Sequence, residues 1–171
     1  MNSESMEYFD LDSVDLALLE QLQTDATPTN QALAARLGIS PPTCLRRVRR
    51  LHEAGLIARQ VAILDADRLA LCLGHGLHAL AEVLLDRQHQ EAQDAFEARA
   101  VAEPCVQQCW RMASGADFML VLQVRDMPHY LALAARLFTQ DANVRNTKLH
   151  FATRRAKFET KVDLAHYQQA F

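Results

Sequence analysis

The chain has 171 residues, half of them apolar and 23% charged, with a formal net charge of −3. That is an ordinary globular composition, long enough for one large or two small domains. No stretch approaches the ~20 apolar residues that a membrane helix needs, and the acidic start MNSESMEYFD lacks a signal peptide's basic and apolar regions. The expectation is a cytoplasmic protein whose Cys44, Cys72, Cys105 and Cys109 stay reduced.

In chain order, Met1 to Asp10 reads as a loose leader. Asp12 or Ser13 caps a first helix, with Asp15 completing an acidic capping box; Leu11, Val14, Leu18 and Leu22 form its apolar face and Leu19 widens it. Thr24 to Pro28 is a turn. Thr29 opens a second helix in which Leu33, Ala34 and Leu37 recur at helical spacing. Gly38 ends it, since glycine enters the left-handed conformation without a steric cost. Ser40 caps the next helix, with Pro41 at the position where no N–H is needed, and Gly55 closes it.

At ~100° per residue this third helix separates into two faces. Cys44, Val48 and Leu51 lie on one, with Leu45 at its edge; Arg46 and Arg50 lie opposite, flanked by Thr43, Arg47 and Arg49. Two helices joined by a glycine-bearing turn form a helix-turn-helix, whose second helix enters the major groove of double-stranded DNA. RRVRR alone would equally suit a solvated helix face; the turn and cap spacing favour DNA. The total charge would argue against a nucleic-acid partner if it were evenly spread. However, only acids precede Thr29, whereas Thr29 to Gln60 holds six arginines against Glu53. Thr43, Arg46 and Arg47, beside Pro42, are expected nearest the bases, and Arg36, Arg49, Arg50 and Arg59 on the phosphates.

Arg59 to Leu64 reads as a short wing hairpin, completing a DNA-binding domain over residues 1–64. Residues 65–74 read as a hinge whose Leu69, Leu71 and Leu73 make it a packed connector. Residues 75–171 then alternate strand and helix patterns: strand His75 to Leu85, helix Gln88 to Val101, strand Cys105 to Ala113, strand Asp117 to Arg125, helix Met127 to Phe138 and a long strand Val144 to Ala156. That βαββαβ order predicts a ferredoxin-like sandwich, giving an α+β protein. Leu164 to Phe171 suits a short helix. Phe118, Leu120, Leu122 and Val124 alternate with Met119 and Val121, so this strand is apolar on both faces. Helices cover one face; a partner copy is the simplest cover for the other, which predicts a homodimer.

Little supports catalysis or a cofactor. Cys105 and Cys109, four apart on a strand, would stand ~13 Å from each other, too far to share a zinc or a disulfide. His75 and His78 point to opposite faces. No phosphate-binding loop, His-Glu-x-x-His helix or nucleophile elbow occurs, so no enzyme, metal or cofactor is expected. The turn Gly115-Ala116-Asp117-Phe118 leaves two readings open. Asp117 can cap its own loop amides, or the turn amides and the aspartate can take the carboxylate and ammonium groups of a ligand.

LAARLGISPPTCLRRVRRLHEAGLI resembles the DNA-binding module of the Lrp/AsnC family of transcription regulators (the leucine- and asparagine-responsive type), and LDSVDLALLEQLQTDA resembles its first helix. SGADFMLVLQVRDMPHY resembles the turn and strand of that family's ligand-responsive domain, with Gly-x-Asp-Phe in place of Gly-x-x-Asp-aromatic. The resemblance spans roughly Leu11 to Val162. It implies sheet-to-sheet dimers that often assemble further. It also implies a pocket for a small effector, commonly an amino acid, at a subunit interface near Gly115, Asp117 and Phe118, with Met127, Tyr130, Phe151 and Thr153 as neighbours. The expected function is a transcription regulator whose DNA binding or assembly answers to that effector. The alternative is an effector-independent architectural protein acting on DNA through oligomerisation.

Overall fold

A computed structural model describes residues 10–164. The expected leader before Asp10 and the helix beyond Leu164 lie outside the described residues. The chain divides into two units, one of residues 10–63 with 157–164, the other Leu64–Ala156.

The first unit is built from three helices: α1 (Ser13–Thr24), α2 (Asn30–Leu37) and α3 (Pro41–Glu53). Each starts on the side chain the sequence offered. Asp12 Oδ1 accepts the amides of Val14 and Asp15 at 2.9 Å each, Thr29 Oγ1 accepts that of Ala32 at 3.2 Å, and Ser40 Oγ that of Thr43 at 3.3 Å. Gly38, at φ +66°, lets the chain reverse between α2 and α3. Leu18, Leu33, Ala34, Cys44 and Leu51 are buried together, with Val14, Leu22, Val48 and Ile57 against them. No helix could bury such a stripe alone.

Arg59 to Leu64 does not form the expected wing hairpin: residues 58–65 carry no strand, and Val61, Ile63 and Leu64 are exposed. A hairpin needs turn chemistry between two apolar runs, and RQVAIL contains none. The segment instead borders a cleft of about 660 Å³ with Leu19, Leu22 and Val162. The tail from Lys157 belongs to this first unit rather than to the sheet. Gln23 donates to the Val162 carbonyl at 2.8 Å and accepts its amide at 2.9 Å, and Lys161 pairs with Glu20.

In the second unit the expected connector is a helix, α4 (Ala66–Leu73), capped by Asp65 and ended by Gly74. No residue of it is buried, so its leucines do not pack within the chain as expected. Then come β1 (Leu77–Leu85), α5 (Gln90–Ala102), β2 (Val106–Arg111), β3 (Phe118–Val124), α6 (Met127–Ala134) and β4 (Val144–Phe151). The strands form one antiparallel sheet in the order β2-β3-β1-β4, the ferredoxin-like arrangement. The second helix runs on from α6 through a π-helical stretch, Ala135–Thr139, that buries Leu137 and Phe138. β4 stops at Phe151, short of Ala156, and the Ala152 amide makes one further bond, to the His78 carbonyl at 2.8 Å.

Alternation along β3 separates the sheet's faces as expected. Phe118, Leu120, Leu122 and Val124 are buried with Ala79, Ala81 and Val83 of β1 under Phe96 and Ala100 of α5 and Leu133 of α6. Phe96 and Phe118 stack at 4.9 Å. The other face carries Met119 and Val121 beside Trp110 of β2 and Leu80 of β1. Trp110 is 59% exposed and Leu80 41%.

Candidate functional site

On α3 the four arginines divide. Four residues at ~100° each bring Arg47 within about 40° of buried Leu51, so it flanks the apolar stripe and points toward α1. There its guanidinium meets two carboxylates, Asp12 Oδ2 at 2.7 Å and Asp15 Oδ1 at 2.8 Å. Arg50 pairs with the other oxygen of Asp15, which also accepts the Asp12 amide at 3.3 Å. Asp15 is completely buried, and the Arg47 side chain is only 21% exposed. Arg47, expected at the bases, and Arg50, expected at the phosphates, both pair with α1, the Arg50 side chain remaining 46% exposed. Burial pushes the Asp12 carboxyl up, but the Asp15 amide and the Arg47 guanidinium outweigh it and hold it below its ordinary value. Hydrogen bonds to Asp15 and Asp12 in turn raise the Arg47 guanidinium above its own.

Pro42, Arg46 and Arg49 are exposed along the remaining face of α3, and Arg59 is exposed beyond it. Thr43 is half-buried, its hydroxyl 2.8 Å from that of the Ser40 cap. Arg36 is exposed on α2 and donates to Gln21 at 3.3 Å. The sequence reading found the capping box but missed its second role. The signal available to it was two acids three residues apart at a helix start, in a chain whose next helix is rich in arginine.

The proposed effector residues fall into two groups. Gly115, Asp117 and Phe118 lie at the start of β3; Met127, Tyr130 and Phe151 lie at its far end, about 20 Å away at ~3.4 Å per residue. One small ligand cannot touch both groups within one chain. Phe118 is fully buried in the core with the Arg111 guanidinium 5.7 Å from its ring centre, so it is a packing residue. Asp117 is buried too. Its Oδ2 accepts the Leu85 amide at 2.7 Å and the Gln88 side chain at 3.2 Å, while its backbone bonds Val83 and Met112 at 2.9 Å each. That geometry fits neither expected reading: the carboxylate holds the end of β1 and the residues after it, not its own loop amides, and is spent there rather than on an ammonium group. Gly115 is exposed at φ +82°, and among the described residues the amides of Ser114, Gly115 and Ala116 donate to nothing. At the far end Tyr130 meets Phe151 edge-on at 5.5 Å, Met127 is 45% exposed and Thr153 is exposed.

Residues 11–58 match the family described as winged helix-turn-helix DNA-binding, and residues 78–162 match the Lrp/AsnC ligand binding domain. The leucine-responsive regulatory protein of Rhizobium meliloti is 34% identical over 91% of this chain and 97% of its own. The chain belongs to the Lrp/AsnC family. The DNA-binding transcriptional activator DecR of Escherichia coli is 31% identical over 90% of this chain and 99% of its own. A Neisseria meningitidis transcriptional regulator solved in complex with L-methionine superposes with a TM-score of 0.81 at 27% identity, covering 92% of this chain and 99% of that one. An AsnC family regulator from Agrobacterium tumefaciens gives 0.80 at 26%, covering 91% and 99%. This Lrp/AsnC protein is a DNA-binding transcription regulator with a ligand-binding domain, not an enzyme. Among its described residues no helix is long and apolar enough to cross a membrane.

The carboxylate of Asp117 holds the buried Leu85 amide at 2.7 Å. Asp117→Ala is expected to destabilise the sheet unit by about 1–3 kcal/mol, and Asp117→Asn, which keeps an acceptor oxygen, by less. Urea unfolding followed by emission of Trp110, the chain's single tryptophan, measures both. Equal stability of Asp117→Ala and wild type would return the carboxylate to the effector.

Proposed function

We propose that this regulator reads sequence with Arg46 and Thr43, grips phosphate with Arg49, Arg36 and Arg59, pairs with a second copy through the open sheet face, and answers to an amino acid. Exposure of Arg46 and Arg49 on α3 supports the first assignment, and Pro42 lies beside them at the helix start. Arginine suits both tasks because its planar fork meets a guanine edge or a phosphate with two parallel hydrogen bonds. Such a protein works where the chromosome is, in the cytoplasm.

The open face supports the homodimer. Leu80, Trp110, Met119 and Val121 form an apolar centre, and Glu82 at its margin faces His150 at 3.3 Å and Lys148 at 3.9 Å. An apolar centre with a charged rim is the anatomy of a protein interface. Further assembly of dimers is in keeping with the family resemblance.

The observation that carries the amino-acid effector is the likeness, over 92% of this chain, to a regulator solved with L-methionine. The turn at Gly115 is the stronger of the two candidate groups. Its unbonded amides suit a carboxylate, and a second copy would supply the remaining contacts. The ammonium partner then comes from elsewhere than Asp117.

Three measurements test this reading. Arg46→Ala should lower affinity for a selected operator by ~1–3 kcal/mol and relax sequence choice at one position; unchanged specific binding in a gel-shift series would refute the facing of α3. Trp110→Glu should shift the protein from dimer to monomer in sedimentation at micromolar concentration, and a wild-type monomer would remove the sheet-to-sheet pairing. In a thermal-shift screen of the common amino acids, at least one should raise Tm, by the equivalent of about 2.7 kcal/mol at a hundredfold excess over Kd, and change DNA affinity. If none does either, the effector-independent architectural reading replaces this one.

A further inference from the structure

We propose that Asp15, at the start of α1, is a positioning residue that decides which arginines of α3 read DNA. The inference rests on the assignment of α3 to DNA and narrows it. Asp15 is fully buried and spends one oxygen on Arg47 at 2.8 Å and the other on Arg50. Asp12 adds a second contact to Arg47 at 2.7 Å while capping α1. Two carboxylates thus oppose two guanidiniums, and their formal charges cancel. A neutralised, chelated guanidinium has no counterions to displace from phosphate, so it adds little to binding. The reading charge of α3 is therefore Arg46 and Arg49 rather than four arginines.

The same contacts set the rotation of the helix. The apolar stripe of Cys44, Val48 and Leu51 is short and tolerates small rotations about the α3 axis. A buried carboxylate between two guanidiniums does not, since any rotation leaves a buried charge short of its partner. Buried ion pairs contribute little stability beyond what apolar packing would give, and their best-attested use is to select one arrangement among several. Here the arrangement selected turns Arg46 outward and Arg47 inward. The Nε of Arg47 is itself buried without a hydrogen-bond partner, a cost that fits a side chain held for orientation.

The test uses the full-length chain and fluorescence anisotropy on two duplexes, one of mixed sequence and one selected from a random library. Affinity is measured between about 50 and 200 mM salt. Asp15→Asn keeps the shape but releases the charge that holds Arg47 and Arg50. The slope of log affinity against log salt should steepen by about 1–2, since each guanidinium reaching a phosphate adds ~0.9. The preference for the selected duplex should fall about tenfold, the worth of one good base contact. Arg49→Gln should flatten the slope by ~0.9, Arg46→Gln should cut the preference for the selected duplex, and Arg47→Gln should change neither. A merely structural Asp15 would weaken both duplexes alike at constant slope, and that result would overturn the proposal. So would an Arg47→Gln slope as flat as that of Arg49→Gln, a comparison that decides the matter even if Asp15→Asn does not fold. Should Arg46→Gln leave the preference and Arg49→Gln leave the slope unchanged, the assignment of α3 to DNA fails, and the proposal with it.

Discussion

Six of the seven residues of β3 are apolar, and a pleated strand must send them alternately to two sides. One side is closed from within the chain: α5 and α6 bring Phe96, Ala100 and Leu133 down onto Phe118, Leu120 and Leu122. The four-stranded order leaves β3 beside β1 at the centre, so the other side has no helix to receive it. Water is a poor neighbour for Trp110, Met119, Val121 and Leu80 together, at about 25 cal/mol for each Å² of apolar surface. The proposed sheet-to-sheet dimer follows from that arithmetic. That pairing would use the same strand that builds the core.

The three-helix unit solves a different problem. It is too small for a large apolar core, and much of its α3 is arginine. Acids are used twice to make it hold. Asp12 caps α1 with one oxygen and binds Arg47 with the other; Asp15 closes the capping box and takes both Arg47 and Arg50. The segregation of charge in the sequence, acids before Thr29 and arginines after it, is therefore partly internal pairing and only partly a field directed at DNA. Counting arginines overstates the latter.

Helices and caps were legible because their signals are local. Asp12, Thr29 and Ser40 each sit where a side-chain oxygen meets free amides, and Gly38 and Gly55 where only glycine fits the positive φ. The βαββαβ order was legible for the same reason, since period two and period 3.6 are visible in short windows. What was not legible depends on residues far apart in the chain. Arg47 differs from Arg46 only through its distance from carboxylates more than thirty residues earlier. Asp117 reads as a turn or effector residue until the Leu85 amide that it holds is known, and Phe118 as a neighbour of the effector until Phe96 is seen against it. The packing of the tail on α1 through Gln23 has no local signal at all.

That last class of contact bears on how an effector could act. Linkage requires a ligand to favour one state of the protein over another, and the coupling must run both ways. Within one chain the candidate groups at the two ends of β3 are about 20 Å apart. A ligand held by the Gly115 turn alone would lie on an exposed surface, where binding is weak and shifts little. The same ligand enclosed by a second copy gains contacts only when the copies are in register. Its binding energy then becomes assembly energy. Because dimeric readers recognise half-sites spaced by their own two-fold geometry, a change in assembly alters which DNA can be held. No rearrangement inside either unit is needed.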